Sequence, residues 1–184
     1  MGDPTPQLQN RLTLNPLYHL DPIGTLMIIV GPIGWAKPVQ VNPYNFSDPE
    51  RDFMISTAWG PISNIIQGTF WALMIRVSVL LRTQGMWDVT ETMFFDFLIL
   101  AATINFVLAL FNMVPLGPLD GHRVIPYFLP FRQKEAYQRF NKQYGMPVLF
   151  GLIAVSFVSP INVLEYVIFR PALFVVSLIS GLRF

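Results

Sequence analysis

Between residues 112 and 122 the chain reads Asn112-Met-Val-Pro115-Leu-Gly117-Pro118-Leu-Asp120-Gly121-His122, one carboxylate among turn formers where an apolar run ends. Pro115 and Pro118 stop a helix, and Gly121 lets the backbone approach another element closely. A carboxylate at the rim of hydrocarbon is costly unless a cation, water or a metal compensates it. These residues leave two readings open: an Asp120 compensated by a partner cation, water or a metal, or a helix C-terminal turn with Asp120 solvated at the interface. The sequence holds two histidines, His19 and His122, and neither opens an H-E-x-x-H pattern. It has no cysteine, which excludes disulfides, thiolate nucleophiles and Cys-based zinc sites within these 184 residues.

The elements that must position Asp120 follow from composition. Hydrophobic residues make up 53% of the chain and charged residues only 12%. A soluble domain of this size cannot bury so much apolar surface, whereas a bilayer can act as its solvent. The net charge of +1 gives no field for drawing in nucleic acid. The expected fold is a single all-α domain over 1–184, a polytopic membrane protein with three to four spans, at about 57–81, 92–114, 146–159 and 161–182. Residues 1–22, with Pro4, Pro6, Pro16 and Pro22, predict extended or turn structure. Ile23 to Ala36 is apolar but broken by Gly24, Gly31, Pro32 and Gly34, and is too short to span; a re-entrant or interfacial segment is expected there. Residues 37–57 predict a polar loop, and Arg82 to Glu91 a short polar turn. Asp96 and Asn105 are the polar interruptions of the second span, with Asp96 near headgroup level. The excess of Arg123, Arg132, Lys134, Arg139 and Lys142 over Asp120 and Glu135 places 115–144 on the cytoplasmic side. Met1-Gly-Asp-Pro-Thr-Pro6 has no basic or apolar leader region, so internal segments are expected to direct insertion.

With these motifs in view, the sequence resembles the site-2 protease family, the intramembrane zinc metalloproteases, and within it the compact bacterial members that lack a PDZ domain. Asn112 to Gly121 matches the family's N-x-x-P-x-x-x-L-D-G motif, and Gly60-Pro61-Ile-Ser-Asn64 matches its G-P-x-x-N block. Gly2-Asp-Pro-Thr5, Arg11-Leu-Thr-Leu-Asn-Pro16, His19-Leu-Asp-Pro-Ile-Gly24 and Gly34-Trp-Ala-Lys-Pro-Val39 resemble its linking region. The likeness covers most of residues 1–125; the rest matches as generic membrane helices. It implies Asp120 as the third zinc ligand and Asn112 as a donor to the substrate carbonyl or oxyanion, with capping of its own helix end as the alternative. Asn64 is expected to bond between helices, His19 to make a structural hydrogen bond, and His122 to be a surface histidine rather than a substitute ligand. Gly24 to Val39 is expected to form a re-entrant hairpin whose exposed strand edge holds an unwound substrate segment, or else a plain interfacial loop.

The family's other two zinc ligands and catalytic Glu come from H-E-x-x-H, a spacing that sets both histidines on one helical face. That segment is expected shortly before the Gly2-Asp-Pro-Thr5 block. The chain is therefore expected to be one part of a longer zinc metalloendopeptidase, with Met1 internal, inactive and without stably bound zinc on its own. The alternative is an inactive pseudoprotease that binds transmembrane partners. Transport is disfavoured, because no pair of broken helices recurs across two halves. The expected setting is multi-pass in a bacterial plasma membrane, with transmembrane protein substrates and lipid as partners and no nucleic acid.

Overall fold

Asp48-Pro49-Glu50 starts the longest helix. The Asp48 carboxylate accepts the Arg51 N–H at 3.2 Å, Pro49 occupies the first turn, and Glu50 and Asp52 sit at its positive end. The structure, a computed structural model, describes residues 2–30, 36–85, 92–159 and 162–183. In it this helix (α3, Pro49–Thr83) runs 35 residues, about 52 Å at 1.5 Å per residue. The polar loop expected over 37–57 therefore ends at Asp48. Asp48 caps the helix and Pro49 pre-sets its first turn, so charged residues 50–52 join the helix despite their polarity. Over the second expected span, Thr92 accepts the Phe95 N–H at 3.4 Å and starts a helix, α4 (Met93–Asn112).

The chain divides into two compact units, Met1–Phe53 and Met54–Phe184. In the first, short helices α1 (Thr5–Leu8) and α2 (Pro22–Val30) are joined by turns. Asp21 starts α2 by accepting the Gly24 N–H at 2.8 Å. The Asp3 carboxylate is a knot for this unit. It accepts from the Thr5 N–H at 3.0 Å and hydroxyl at 2.6 Å, the Asn42 N–H at 2.9 Å and the Asn45 amide at 2.9 Å. Gly2 closes the knot with φ of 87°, its Cα against the Asn45 carbonyl. His19 donates through Nε2 to the Thr13 carbonyl at 2.8 Å, the structural bond expected of it. The apolar run after Pro22 is a nine-residue helix; its continuation over 31–35 lies outside the described residues. The exposed strand edge envisaged here reduces, among the described residues, to one antiparallel bridge between Leu20 and Ala36, with the Lys37 N–H on the His19 carbonyl at 2.9 Å.

The regular elements of the second unit are all helical among its described residues: the rest of α3, α4, then after a loop over 113–120 α5 (Gly121–Val124), a 3-10 turn (Ile125–Phe128), α6 (Phe131–Phe140), a π turn (Asn141–Gly145), α7 (Met146–Val158), a second π turn (Glu165–Phe169) and α8 (Arg170–Ser180). The last two expected spans thus correspond to helices over 146–158 and 165–180, while 160–161 and most of the Arg82–Glu91 turn, residues 86–91, lie outside the described residues. Its core joins Ala72 and Ile75 of α3, Phe95, Leu98, Ala102 and Phe106 of α4, and Ala172 and Val176 of α8. Gly68 meets the Phe106 ring and Trp71 meets Phe97 edge to face, so α3 and α4 run antiparallel. Arg76 reaches the Ile179 carbonyl at 3.2 Å.

Beside the large core residues Ile75, Phe95, Leu98 and Phe106, small residues line the helix contacts, while many other large apolar side chains are exposed. Small residues face inward: Gly68, Ala72 and Ser78 on α3, Ala102 and Ala109 on α4. Large apolar residues face outward: Ile66, Phe70, Leu73 and Val77 on α3, Phe97, Leu100, Ile104 and Leu108 on α4. Close approach through small residues is how helices associate where lipid supplies no hydrophobic force between them. By length and composition α3 and α4 are apolar enough to cross a membrane. Among the described residues every regular element is helical.

Candidate metal site

Asp120 is positioned from two directions. At the end of α4, Met113 still bonds back to the Ala109 carbonyl, and Pro115 and Pro118 then turn the chain through a loop that includes a cis Gly117–Pro118 bond. The loop folds onto the helix that precedes it. A Cβ on Gly121 would lie 2.3 Å from the Met113 carbonyl oxygen and 2.6 Å from that of Val114, so only glycine fits beside Asp120. The Asp120 carbonyl accepts the Arg123 and Val124 N–H groups and begins α5.

The second direction is α3. A Cβ on Gly60 would come within 3.1 Å of Asp120 Oδ2. The carboxylate therefore lies against a turn of α3 stripped of one side chain at Gly60 and of one backbone donor at Pro61. The two blocks, Gly60-Pro61 and Asp120-Gly121, are far apart in sequence and meet in the fold. Asp120 is half-buried and makes no side-chain capping bond to its helix. Burial pushes its carboxyl above the usual range, and Arg123 and then His122 oppose that rise.

The remaining candidates separate. Asn112, the last residue of α4, is half-buried. Asn64 is half-buried on the face of α3 that carries Pro61 and Gly68. His122 donates through Nδ1 to the Leu119 carbonyl at 2.5 Å and its ring lies over Gly117, which occupies one nitrogen in the loop itself. Asn105 donates to the Ala101 carbonyl at 2.8 Å within its own helix, and Asp96 stands in the first turn of α4.

Three further residues hold the loop, and the sequence reading passed over them. Tyr137 donates its hydroxyl to the Pro115 carbonyl at 2.9 Å. The Gly117 N–H donates to Asn141 Oδ1 at 2.8 Å, and Asn141 is 8% exposed. Gly145 lies so close that a Cβ there would be 3.0 Å from Asn141 Oδ1 and 3.1 Å from the Gly117 nitrogen. Burial pushes the Tyr137 hydroxyl upward, and a hydrogen bond with Asn141 pulls it back. Their only sequence signal was the spacing of 137, 141 and 145 on one helical face.

As a donor set, Asp120 fits one position of a zinc site: an anionic oxygen, half-buried, uncapped, beside a cradle that a Cβ would fill. Among the described residues no three His, Cys, Asp or Glu side chains come together to hold a metal ion, so two further protein ligands would have to come from elsewhere.

The model for Peptidase family M50 matches residues 45–156. The chain is 37% identical over 163 residues to YwhC of Bacillus subtilis, named as a zinc metalloprotease, covering 88% of this chain and 71% of that protein. It is 24% identical over 165 residues to Rip2 of Mycolicibacterium smegmatis, also named as a zinc metalloprotease, covering 86% of this chain but 58% of that one. No solved structure matches. With the Asp120-Gly121 loop seated against Gly60 inside the matched segment, the chain belongs to peptidase family M50, the site-2 proteases.

Proposed function

We propose that this chain is the substrate-side and third-ligand portion of an intramembrane zinc metalloendopeptidase, multi-pass in the bacterial plasma membrane with three to four spans. It would hydrolyse peptide bonds of transmembrane proteins near the cytoplasmic face. The observation that carries this reading is the Asp120 carboxylate, half-buried, uncapped and lodged against Gly60 at 3.1 Å from where a Cβ would stand. An ionised carboxylate in that position needs a compensating cation, and a metal is the compensation that does chemistry.

Asp120 would hold the metal, together with two histidines of an H-E-x-x-H helix that is not among these 184 residues. When bound, zinc polarises the scissile carbonyl and lowers the pKa of the attacking water toward about 7. The work left to this chain is positional. Gly121 fixes the Asp120 backbone on the end of α4, and Gly60 leaves the carboxylate room to point along α3. Asn112, at the end of α4, supplies an amide donor for a substrate carbonyl.

The test is the complete protein in proteoliposomes with a model transmembrane substrate. Asp120→Ala is expected to lose both bound zinc and cleavage, about 100-fold or more in rate. Unchanged zinc content and unchanged cleavage would refute the assignment.

A further inference from the structure

The loop that carries Asp120 is held from outside as well as from within. Between Asn112 and Asp120 the backbone offers Pro115 C=O and Gly117 N–H, and both are taken by side chains of the helix that follows: the Tyr137 hydroxyl at 2.9 Å and Asn141 Oδ1 at 2.8 Å. Gly145 completes the contact, leaving no space for a Cβ between its Cα and the Gly117 backbone. Tyr137, Asn141 and Gly145 stand at successive turns of one face, and the helix widens to π geometry over Asn141–Gly145, where it meets the loop. A π turn costs backbone energy and recurs where a side chain must be aimed. Asn141 is also satisfied on its other side, donating to the Tyr137 carbonyl at 3.4 Å, so its acceptor has a fixed direction.

From this geometry we infer that Tyr137, Asn141 and Gly145 form a clamp that sets the position of Asp120 for metal binding. They are positioning residues: none needs to touch metal or substrate. The inference rests on Asp120 being a ligand and goes beyond it, because it assigns a role in the metal site to a helix outside the motif. Groups that orient a metal ligand typically change metal affinity by about 10–100-fold when removed.

The experiment uses the complete protein in detergent, as wild type, Asp120→Ala, Asn141→Leu and Tyr137→Phe. Asn141→Leu removes the acceptor at nearly constant volume, and Tyr137→Phe removes only a hydroxyl. Zinc retention is followed against a graded chelator, the visible absorption is recorded after cobalt exchange, and kcat, KM and Tm are measured. The clamp predicts that Asn141→Leu gives up zinc at about 10-fold lower chelator activity, alters the cobalt spectrum and lowers kcat with KM unchanged. Tyr137→Phe should move the same way by less, and it decides the matter alone if Asn141→Leu does not fold. Wild-type zinc retention and cobalt spectrum in both variants, with only Tm lowered, would reduce the clamp to ordinary packing and overturn the inference. Full zinc retention by Asp120→Ala would sink the ligand reading, and the clamp with it.

Discussion

Single atoms decide this site. Gly121 is the strictest position, since a methyl group there meets backbone oxygens at 2.3 and 2.6 Å that no rotamer change can move. Gly121→Ala is expected to cost about 3 kcal/mol, seen as a lowered Tm in detergent. Gly60→Ala is a different case, because its neighbour is the end of a side chain at 3.1 Å. Asp120 can turn away, so the protein should fold with near-normal Tm while chelator-resistant zinc falls. In the first unit, the Asp3 carboxyl is desolvated, which would raise it, yet hydrogen bonds from Asn45, Thr5 and Asn42 hold it well below the usual carboxylate range. A depressed folded-state value means the stabilisation is fully present above about pH 4 and fades as pH falls further. Protection of the Asn42 and Thr5 amides, relative to their intrinsic exchange rates, should therefore fall below about pH 4, and Asp3→Asn should show low protection at every pH. Equal acid sensitivity in wild type and Asp3→Asn would show that Asp3 does not hold the unit together.

At the scale of elements, α3 shows what the sequence made visible and what it hid. Its apolar stretch and its end near Thr83 follow from composition, but its start does not, because charged residues 50–52 look like loop. The cap Asp48-Pro49 was the better guide: local capping outweighed polarity. Replacing Asp48 by Ala should fray the first turn, at about 1 kcal/mol, measurable as lost amide protection over residues 51–53. The α3–α4 contact depends on Gly68, where a Cβ would sit 3.0 Å from the Phe106 ring. Gly68→Val should destabilise the helix pair by about 1–3 kcal/mol, and adding Phe106→Leu should restore part of the loss. Asp120 and Gly121 were legible because a motif carries them. Tyr137, Asn141 and Gly145 were not, because a polar helix with residues four apart looks like a solvated face until its partner loop is seen. The role of Gly60 was hidden for a similar reason: a glycine has no side chain to advertise the group it makes room for.

For the whole molecule, the sign of the packing matters most. Small residues at the helix contacts and large apolar residues exposed around the core suit association in lipid, and the low charge fraction pointed to a lipid setting from sequence. The number of spans was harder to read than the lipid setting, because Pro147, Pro160 and Pro171 interrupt apolar runs shorter than a bilayer's width, and a π turn over Glu165–Phe169 lengthens the last helical run. Nor could composition place the first unit, whose exposed leucines fall both outside helices (Leu12, Leu14) and on short ones (Leu8, Leu26). The central claim is that Asp120 is a metal ligand, and zinc K-edge X-ray absorption of the complete protein carrying Asp120→Cys tests it most directly. The account predicts a sulfur scatterer at about 2.3 Å from zinc that the wild type lacks. Zinc bound at wild-type stoichiometry with no sulfur in its first shell would contradict it.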